Sequence, residues 1–208
     1  MTAVEPRVFV VDDDASVRKS LTRLLSSAGY AVETFASSLD FLKRAPHAGP
    51  CCLVLDVRMP GGSGLDLQTT LAAAGRPMSI VFVTGHADVP MSVGAMKAGA
   101  VDLLTKPVDE ADLLAAIARA VAKDALARSD EAQVTVTRDR VATLTARERD
   151  VFDRVVTGML NKQIASELGI AEKTVKVHRA RVMQKMRATS LADLVRMADR
   201  LRSREARA

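Results

Sequence analysis

Five short runs of apolar and β-branched residues alternate with helix-period segments across residues 1–125, and this alternation limits the fold more than any other feature. Residues 7–11, 31–35, 52–56, 80–83 and 100–104 read as strands. The run 52–56 has no polar alternation, as expected of a strand buried on both faces of a parallel sheet. Between them, residues 15–28 place Val17, Leu21, Leu24, Leu25 and Ala28 at helical spacing before Gly29. Residues 37–44, 65–73, 89–98 and 109 to about 126 also read as helices. Five strand–helix units in so short a span predict a doubly wound parallel α/β domain.

Working sites in such sheets lie beyond the carboxyl ends of the strands, at the topological switch point. Asp12, Asp13, Asp56, Thr84 and Lys106 occupy those ends. Three carboxylates at close range are costly unless a cation joins them, and Mg²⁺, a hard ion that takes oxygen ligands and often works beside phosphate, suits the set. Lys106 adds a fixed positive charge and Thr84 a hydroxyl. An acceptor carboxylate, a divalent cation, an ammonium and a hydroxyl donor are what phosphoryl transfer needs, since its work is positioning and charge neutralisation. Taken singly, Thr84 is an ordinary strand-end residue and Lys106 a surface lysine; only the joint occurrence carries the argument. Asp14 reads as the N-cap of the helix that begins at Ala15.

Charge divides the chain. Residues 1–125 carry 12 Lys and Arg against 14 Asp and Glu, whereas residues 126–208 carry 18 against 11. A basic second part is where nucleic acid would bind. No run approaches the roughly 20 apolar residues that span a bilayer, and residues 1–11 lack the pattern of a signal peptide, so a cytoplasmic protein with no membrane partner is expected. The only cysteines, Cys51 and Cys52, are adjacent. Neighbouring strand side chains point to opposite faces, so a bridge between them would be strained, and they read as small core residues.

Periodicity fades over residues 123–143, leaving a continued helix and a tether both open. From Thr145 it returns as four short helices. Thr145-Ala146-Arg147-Glu148 has the form of a capping box, and Val151, Phe152, Val155 and Val156 follow on one face. Residues 161–168 and about 172–186 are two helices joined through Gly169-Ile170, the pattern of a DNA-binding helix-turn-helix. In the second, Val175, Val182 and Met186 should pack inward. Lys173, Thr174, Lys176, Val177, Arg179 and Arg181 are left for other directions; basic side chains there can bond guanine edges or phosphates, and Val177 can touch a thymine methyl. The bland alternative is a solvated cationic face.

The runs VFVVDDDASVR, LVLDVRMPGGSGLDL and VFVTGHADVPMSVGAMKAGAVDLLTKP resemble receiver domains of two-component response regulators over residues 6–125. The run LTARERDVFDRVVTGMLNKQIASELGIAEKTVKVHRARVMQKM, with SLADLVRMA after it, resembles the LuxR-type helix-turn-helix over residues 143–198. Together they resemble a response regulator of the NarL/FixJ group, on the FixJ side. This implies a flavodoxin-like (βα)5 receiver over 1–125, a linker over 126–142 and an all-α four-helix LuxR-type domain over 143–208.

The resemblance also implies roles. Asp56 accepts a phosphoryl group from a sensor histidine kinase. Asp13, Asp56 and the backbone carbonyl of Arg58 ligate Mg²⁺, with Asp12 acting mainly through water, and Thr84 and Lys106 bond the phosphoryl oxygens. Lys106-Pro107 is a candidate cis peptide. Lys176 and Val177 are the base-contact candidates; Lys173, Thr174, Arg179 and Arg181 are the phosphate-contact candidates. The last helix is the usual dimer contact, with Leu191, Leu194, Val195 and Ala198 as its apolar stripe, although packing within the domain is an equal reading for some of them. Phosphorylation would then drive homodimerisation, binding to double-stranded DNA and, with RNA polymerase, transcriptional activation by a protein that is not itself an enzyme. One position departs from the family pattern: three residues before the lysine, where Tyr or Phe often serves as a rotating switch, stands Leu103. His86 lies at the expected pocket rim. Two other readings remain: a constitutive DNA-binding protein whose receiver only dimerises or senses a ligand, and an enzyme such as a phosphatase that uses the acidic pocket.

Overall fold

Strand pairing in the computed structural model, which describes residues 5–85 and 88–205, joins five parallel strands. These are β1 (Arg7–Val11), β2 (Ala31–Phe35), β3 (Cys51–Asp56), β4 (Ile80–Thr84) and β5 (Asp102–Thr105). Their order is β2-β1-β3-β4-β5. Helices α1 (Ala15–Ser27), α2 (Ser38–Lys43), α3 (Gly64–Ala73), α4 (Val89–Lys97) and α5 (Glu110–Ala142) follow the strands in turn. The alternation of side chains along each strand explains the two cores. Phe9, Val11, Leu53, Leu55 and Phe82 face Phe41, Leu67, Leu71 and Ala95 on one side. Val8, Val10, Val54, Val81 and Val83 face Leu25, Leu113, Ala116 and Ile117 on the other. Cys51 and Cys52 are free and buried, one in each core.

The local signals act as expected. Asp14 caps α1, its Oδ1 accepting from the Ser16 amide at 2.7 Å. Gly29 has a φ of 87°. A two-residue antiparallel ladder, Arg58–Met59 with Gly62–Ser63, follows β3 and was not expected. Its turn runs through Pro60 and Gly61, and Gly61 supplies the positive φ of 83° that the tight reversal requires.

The chain forms two compact units, one ending at Arg128 and the other starting at Ser129. α5 supplies residues to both: Leu113 and Ile117 cover the sheet, and Val134 and Val141 enter the core of the second unit. The stretch 126–142 is therefore helical, with Val134 and Val141 packed and Leu126 and Val136 exposed. The second unit continues with α6 (Ala146–Val155), α7 (Asn161–Leu168), α8 (Glu172–Met186) and α9 (Leu191–Glu205). Val151, Ile164, Val175, Val182, Met186 and Leu194 fill its core. No helix among the described residues is long and apolar enough to cross a membrane.

Candidate functional site

The acidic site is assembled where the strands end. β1 runs directly into Asp12 and Asp13, and β3 ends at Asp56. One carboxylate oxygen from each of Asp12, Asp13 and Asp56 lies within 4.8 Å of the others. Asp12 is 2% exposed and Asp56 8%, while Asp13 is open to solvent. Lys106, just beyond β5, places its Nζ 2.8 Å from both Asp12 Oδ2 and Asp56 Oδ2. Burial works against the ammonium, but its hydrogen bonds to Asp12 and Asp56 and their negative charges outweigh that and raise its pKa above the ordinary value. Three carboxylates thus face one ammonium. The oxygen-rich remainder, with negative charge still uncompensated, fits a small divalent cation.

Thr84 closes β4 and is fully buried. Its carbonyl accepts from the Lys106 amide at 2.8 Å, so the strand ends that carry the two residues are tied together. The Lys106-Pro107 bond is cis. Leu103 is half-buried on β5, against the same core as Met91 and Ala95. His86 lies outside the described residues.

Three supporting residues escaped the sequence reading. Arg18, on the first turns of α1, donates through Nη1 to the carbonyls of Asp12 (2.7 Å) and Asp13 (2.9 Å) and so holds the acidic loop. The Asp14 amide donates to Asp12 Oδ1 and the Arg58 amide to Asp56 Oδ1, orienting both carboxylates. Gly64 opens α3 beside β3; a Cβ there would lie 2.3 Å from the Asp56 carbonyl oxygen. Ser63 caps α3 through a capping box with Asp66 and donates its hydroxyl to the Val57 carbonyl at 3.2 Å. Arg18 stands one helical turn after Asp14, which is a weak signal. Gly64 sits in a glycine-rich turn where one sequence cannot separate flexibility from lack of space.

The second unit carries a helix-turn-helix. α7 ends at Gly169, whose φ of 65° is left-handed, and the Ile170 amide closes the turn onto the Ala165 carbonyl at 3.1 Å. α8 buries Val175, Val182 and Met186 and leaves Lys173, Thr174, Lys176, Val177 and Arg181 exposed. Val177 is 46% exposed, an unusual setting for a β-branched apolar residue on a polar helix face. Arg179 differs from the rest. It is half-buried and its Nη1 donates to Asn161 Oδ1 at 3.0 Å, which links α8 to the start of α7.

Below α8, Glu148 completes the expected capping box with Thr145 and accepts from Lys185 Nζ at 2.6 Å. Lys185, the Thr145 amide and the Thr145 hydroxyl together hold its carboxyl down at about 2. The stripe expected to form a dimer contact on α9 is largely turned inward. Leu194 and Ala198 are buried in the unit's own core and Val195 is half-buried against it, leaving Leu191 exposed.

Comparison with known proteins agrees with both halves. Residues 8–118 match the response regulator receiver domain family and residues 142–198 the luxR family of bacterial regulatory proteins. Nodulation protein W of Bradyrhizobium diazoefficiens is 50% identical over 194 residues, which are 93% of this chain and 86% of that protein. The transcriptional regulatory protein FixJ of Azorhizobium caulinodans is 47% identical over 192 residues, 92% and 90% of the two chains. Among solved structures, the response regulator StyR superposes with a TM-score of 0.82 at 48% identity, covering 94% of this chain and 99% of its own. With a receiver fold, a helix-turn-helix and relatives that match along nearly the whole chain, this protein belongs to the FixJ-related response regulators, transcription regulators built from a receiver domain and a LuxR-type DNA-binding domain.

Proposed function

We propose that Asp56 is the phosphoacceptor and that its phosphorylation by a partner histidine kinase controls dimerisation and sequence-specific DNA binding, leading to activation of transcription through RNA polymerase. The observation that carries this reading is the Lys106 ammonium held 2.8 Å from both Asp56 and Asp12 at the end of the sheet. In the transfer, an Asp56 oxygen attacks the phosphorus of the kinase phosphohistidine, the P–N bond breaks and an acyl phosphate forms. Lys106 then has a phosphoryl oxygen to bond in place of a carboxylate, and the Thr84 hydroxyl is the second donor. Asp12, Asp13, Asp56 and the Arg58 carbonyl are the residues that would hold Mg²⁺, which supplies charge neutralisation on the transferring group.

We assign residues 1–125 to the receiver and 143–208 to DNA binding, joined by the helical stretch 126–142. On the DNA side, Lys176 and Val177 read bases, and Lys173, Thr174, Arg179 and Arg181 hold phosphates. A phosphorylated dimer presents two copies of α8 to half-sites about one helical turn apart. A cytoplasmic setting follows from the DNA partner.

The half-buried Leu103 favours one competitor, a DNA-binding protein whose receiver does not relay phosphorylation through β5. Incubation with radiolabelled acetyl phosphate tests the primary step. Label on the protein that is labile to hydroxylamine, requires Mg²⁺ and is lost in Asp56→Asn is expected. Equal labelling of the variant would overturn the assignment.

A further inference from the structure

At the amino ends of the strands, opposite the acidic site, a cavity of about 160 Å³ is lined by Arg44, Arg76, Arg128, His47, Cys51 and Met78. Three guanidinium groups meet there, and the acids near them are already engaged. Asp124 accepts from Arg128 Nε at 2.5 Å and from the Cys51 amide at 2.8 Å. Glu33 pairs with Arg7 at 3.2 Å. Neither Arg44 nor Arg76 makes an ion pair among the described residues.

Arg44 is held rigidly. Its guanidinium lies 3.9 Å from the centre of the Phe9 ring and 4.4 Å from that of Phe41. Its Nη1 donates to the Ala45 carbonyl, yet its Nε–H is buried with no hydrogen-bond partner among the described residues. Burial first, and then the charges of Arg76 and Arg128, push Arg44 below its ordinary pKa against the opposing effect of Cys51 and Glu33. An arrangement with excess positive charge and an unused buried N–H donor is costly as it stands and is complementary to a small anion.

We propose that this cavity is a binding site for a single small oxyanion, either inorganic phosphate or the terminal phosphate of a small metabolite. The volume holds a tetrahedral oxyanion with room for the first atoms of an ester, and planar guanidinium forks match its oxygens. Arg128 ties the site to the rest of the receiver. Besides Asp124, it donates to the His47 carbonyl at 3.1 Å and contacts Cys51 Sγ at 3.4 Å. A ligand in the cavity therefore bears directly on the turn of α5 that ends the first unit, and its binding restrains that turn.

Titration of the isotope-labelled full-length protein with phosphate, in Mg²⁺-free buffer at ionic strength held constant with chloride, tests the site by amide chemical shifts. Saturable shifts are expected at His47, Cys51, Met78 and Arg128. Arg76→Gln, on a half-exposed side chain with no ion pair among the described residues, should weaken binding about tenfold through loss of one charge-assisted contact, and Arg76→Lys should retain most of it. Glycerol 3-phosphate separates the two sources. Equal affinity points to the free ion, and tighter binding to an esterified phosphate. Absence of a saturable response at these amides, the same shifts from chloride alone, or an Arg76→Gln titration identical to wild type would overturn the proposal.

Discussion

Gly64 lies so close to Asp56 that a single added methyl would sit 2.3 Å from the Asp56 carbonyl oxygen and 2.9 Å from Leu55 Cγ. The obstacle is backbone, which cannot swing away, so Gly64→Ala must move the end of β3 or the start of α3. Overpacking of this kind costs about 1–3 kcal/mol. Urea denaturation should show that loss, and labelling by acetyl phosphate should fall with it because Asp56, the proposed phosphoacceptor, is displaced. A Gly64→Ala protein with unaltered stability and labelling would mean that the turn absorbs the methyl.

Lys106 is the sole ammonium bonded to the carboxylate cluster among the described residues. Lys106→Ala leaves Asp12 and Asp56 without it and takes away a donor to the transferred group. The rate of labelling by acetyl phosphate should drop roughly 10²–10³-fold, the usual effect of losing one preorganised donor. A rate within a few fold of wild type would remove Lys106 from the reaction.

On α8 the exposed residues separate by what they can reach. Lys176→Ala should relax base preference, with a loss of about 1–3 kcal/mol on the preferred site and little on random DNA. Its exposed pair with Glu172 at 3.5 Å is too weak to hold it back. Arg181→Ala should weaken binding to all sequences alike and lower the salt slope by about 1. Anisotropy titrations on specific and random duplexes at several salt concentrations measure both, and equal losses for the two variants on both duplexes would contradict the division. Asn161→Ala should behave as Arg179→Ala does, because Asn161 orients that guanidinium.

Glu148 gives the DNA-binding unit an acid-sensitive anchor. Its carboxyl is lowered from 4.5 to about 2 in the folded protein by Lys185, then by the Thr145 amide. The ionised group is therefore bound more tightly in the folded state. Its contribution is fully present above about pH 4.5 and is lost as pH falls through about 2. Glu148→Gln should be less stable than wild type at pH 7, with the gap closing across that window. Amide signals of α6 and α8 during denaturation report it, and a gap that does not change with pH would show that the charge contributes nothing.

Much of this was legible in the residues. The alternation of short apolar runs with helix-period segments indicates the doubly wound fold class, and the strand ends locate Asp12, Asp13, Asp56, Thr84 and Lys106, because chain order alone puts them at one edge of a parallel sheet. The Thr145–Glu148 box and the Asp14 cap are readable because each depends only on neighbours two or three residues away. What stayed hidden depends on contacts between distant residues. Arg179 is engaged with Asn161, 18 residues off, and Gly64 is constrained by the backbone of β3 rather than by its own turn. The stretch 123–143 reads as fading periodicity because only Val134 and Val141 pack against helices that follow it, while its exposed positions mix charged residues with Leu126 and Val136. The α9 stripe shows the converse: its apolar spacing was plain, but spacing alone does not say whether Leu194 and Ala198 face a partner or their own core.

The central claim is that chemistry at Asp56 governs assembly even with Leu103 in place of an aromatic residue. Light scattering of the full-length protein with Mg²⁺, before and after addition of beryllofluoride as a phosphoryl mimic, tests it most directly. The account predicts a shift from monomer to dimer in the wild type and none in Asp56→Asn. An unchanged mass in the wild type, or the same shift in both proteins, would contradict it.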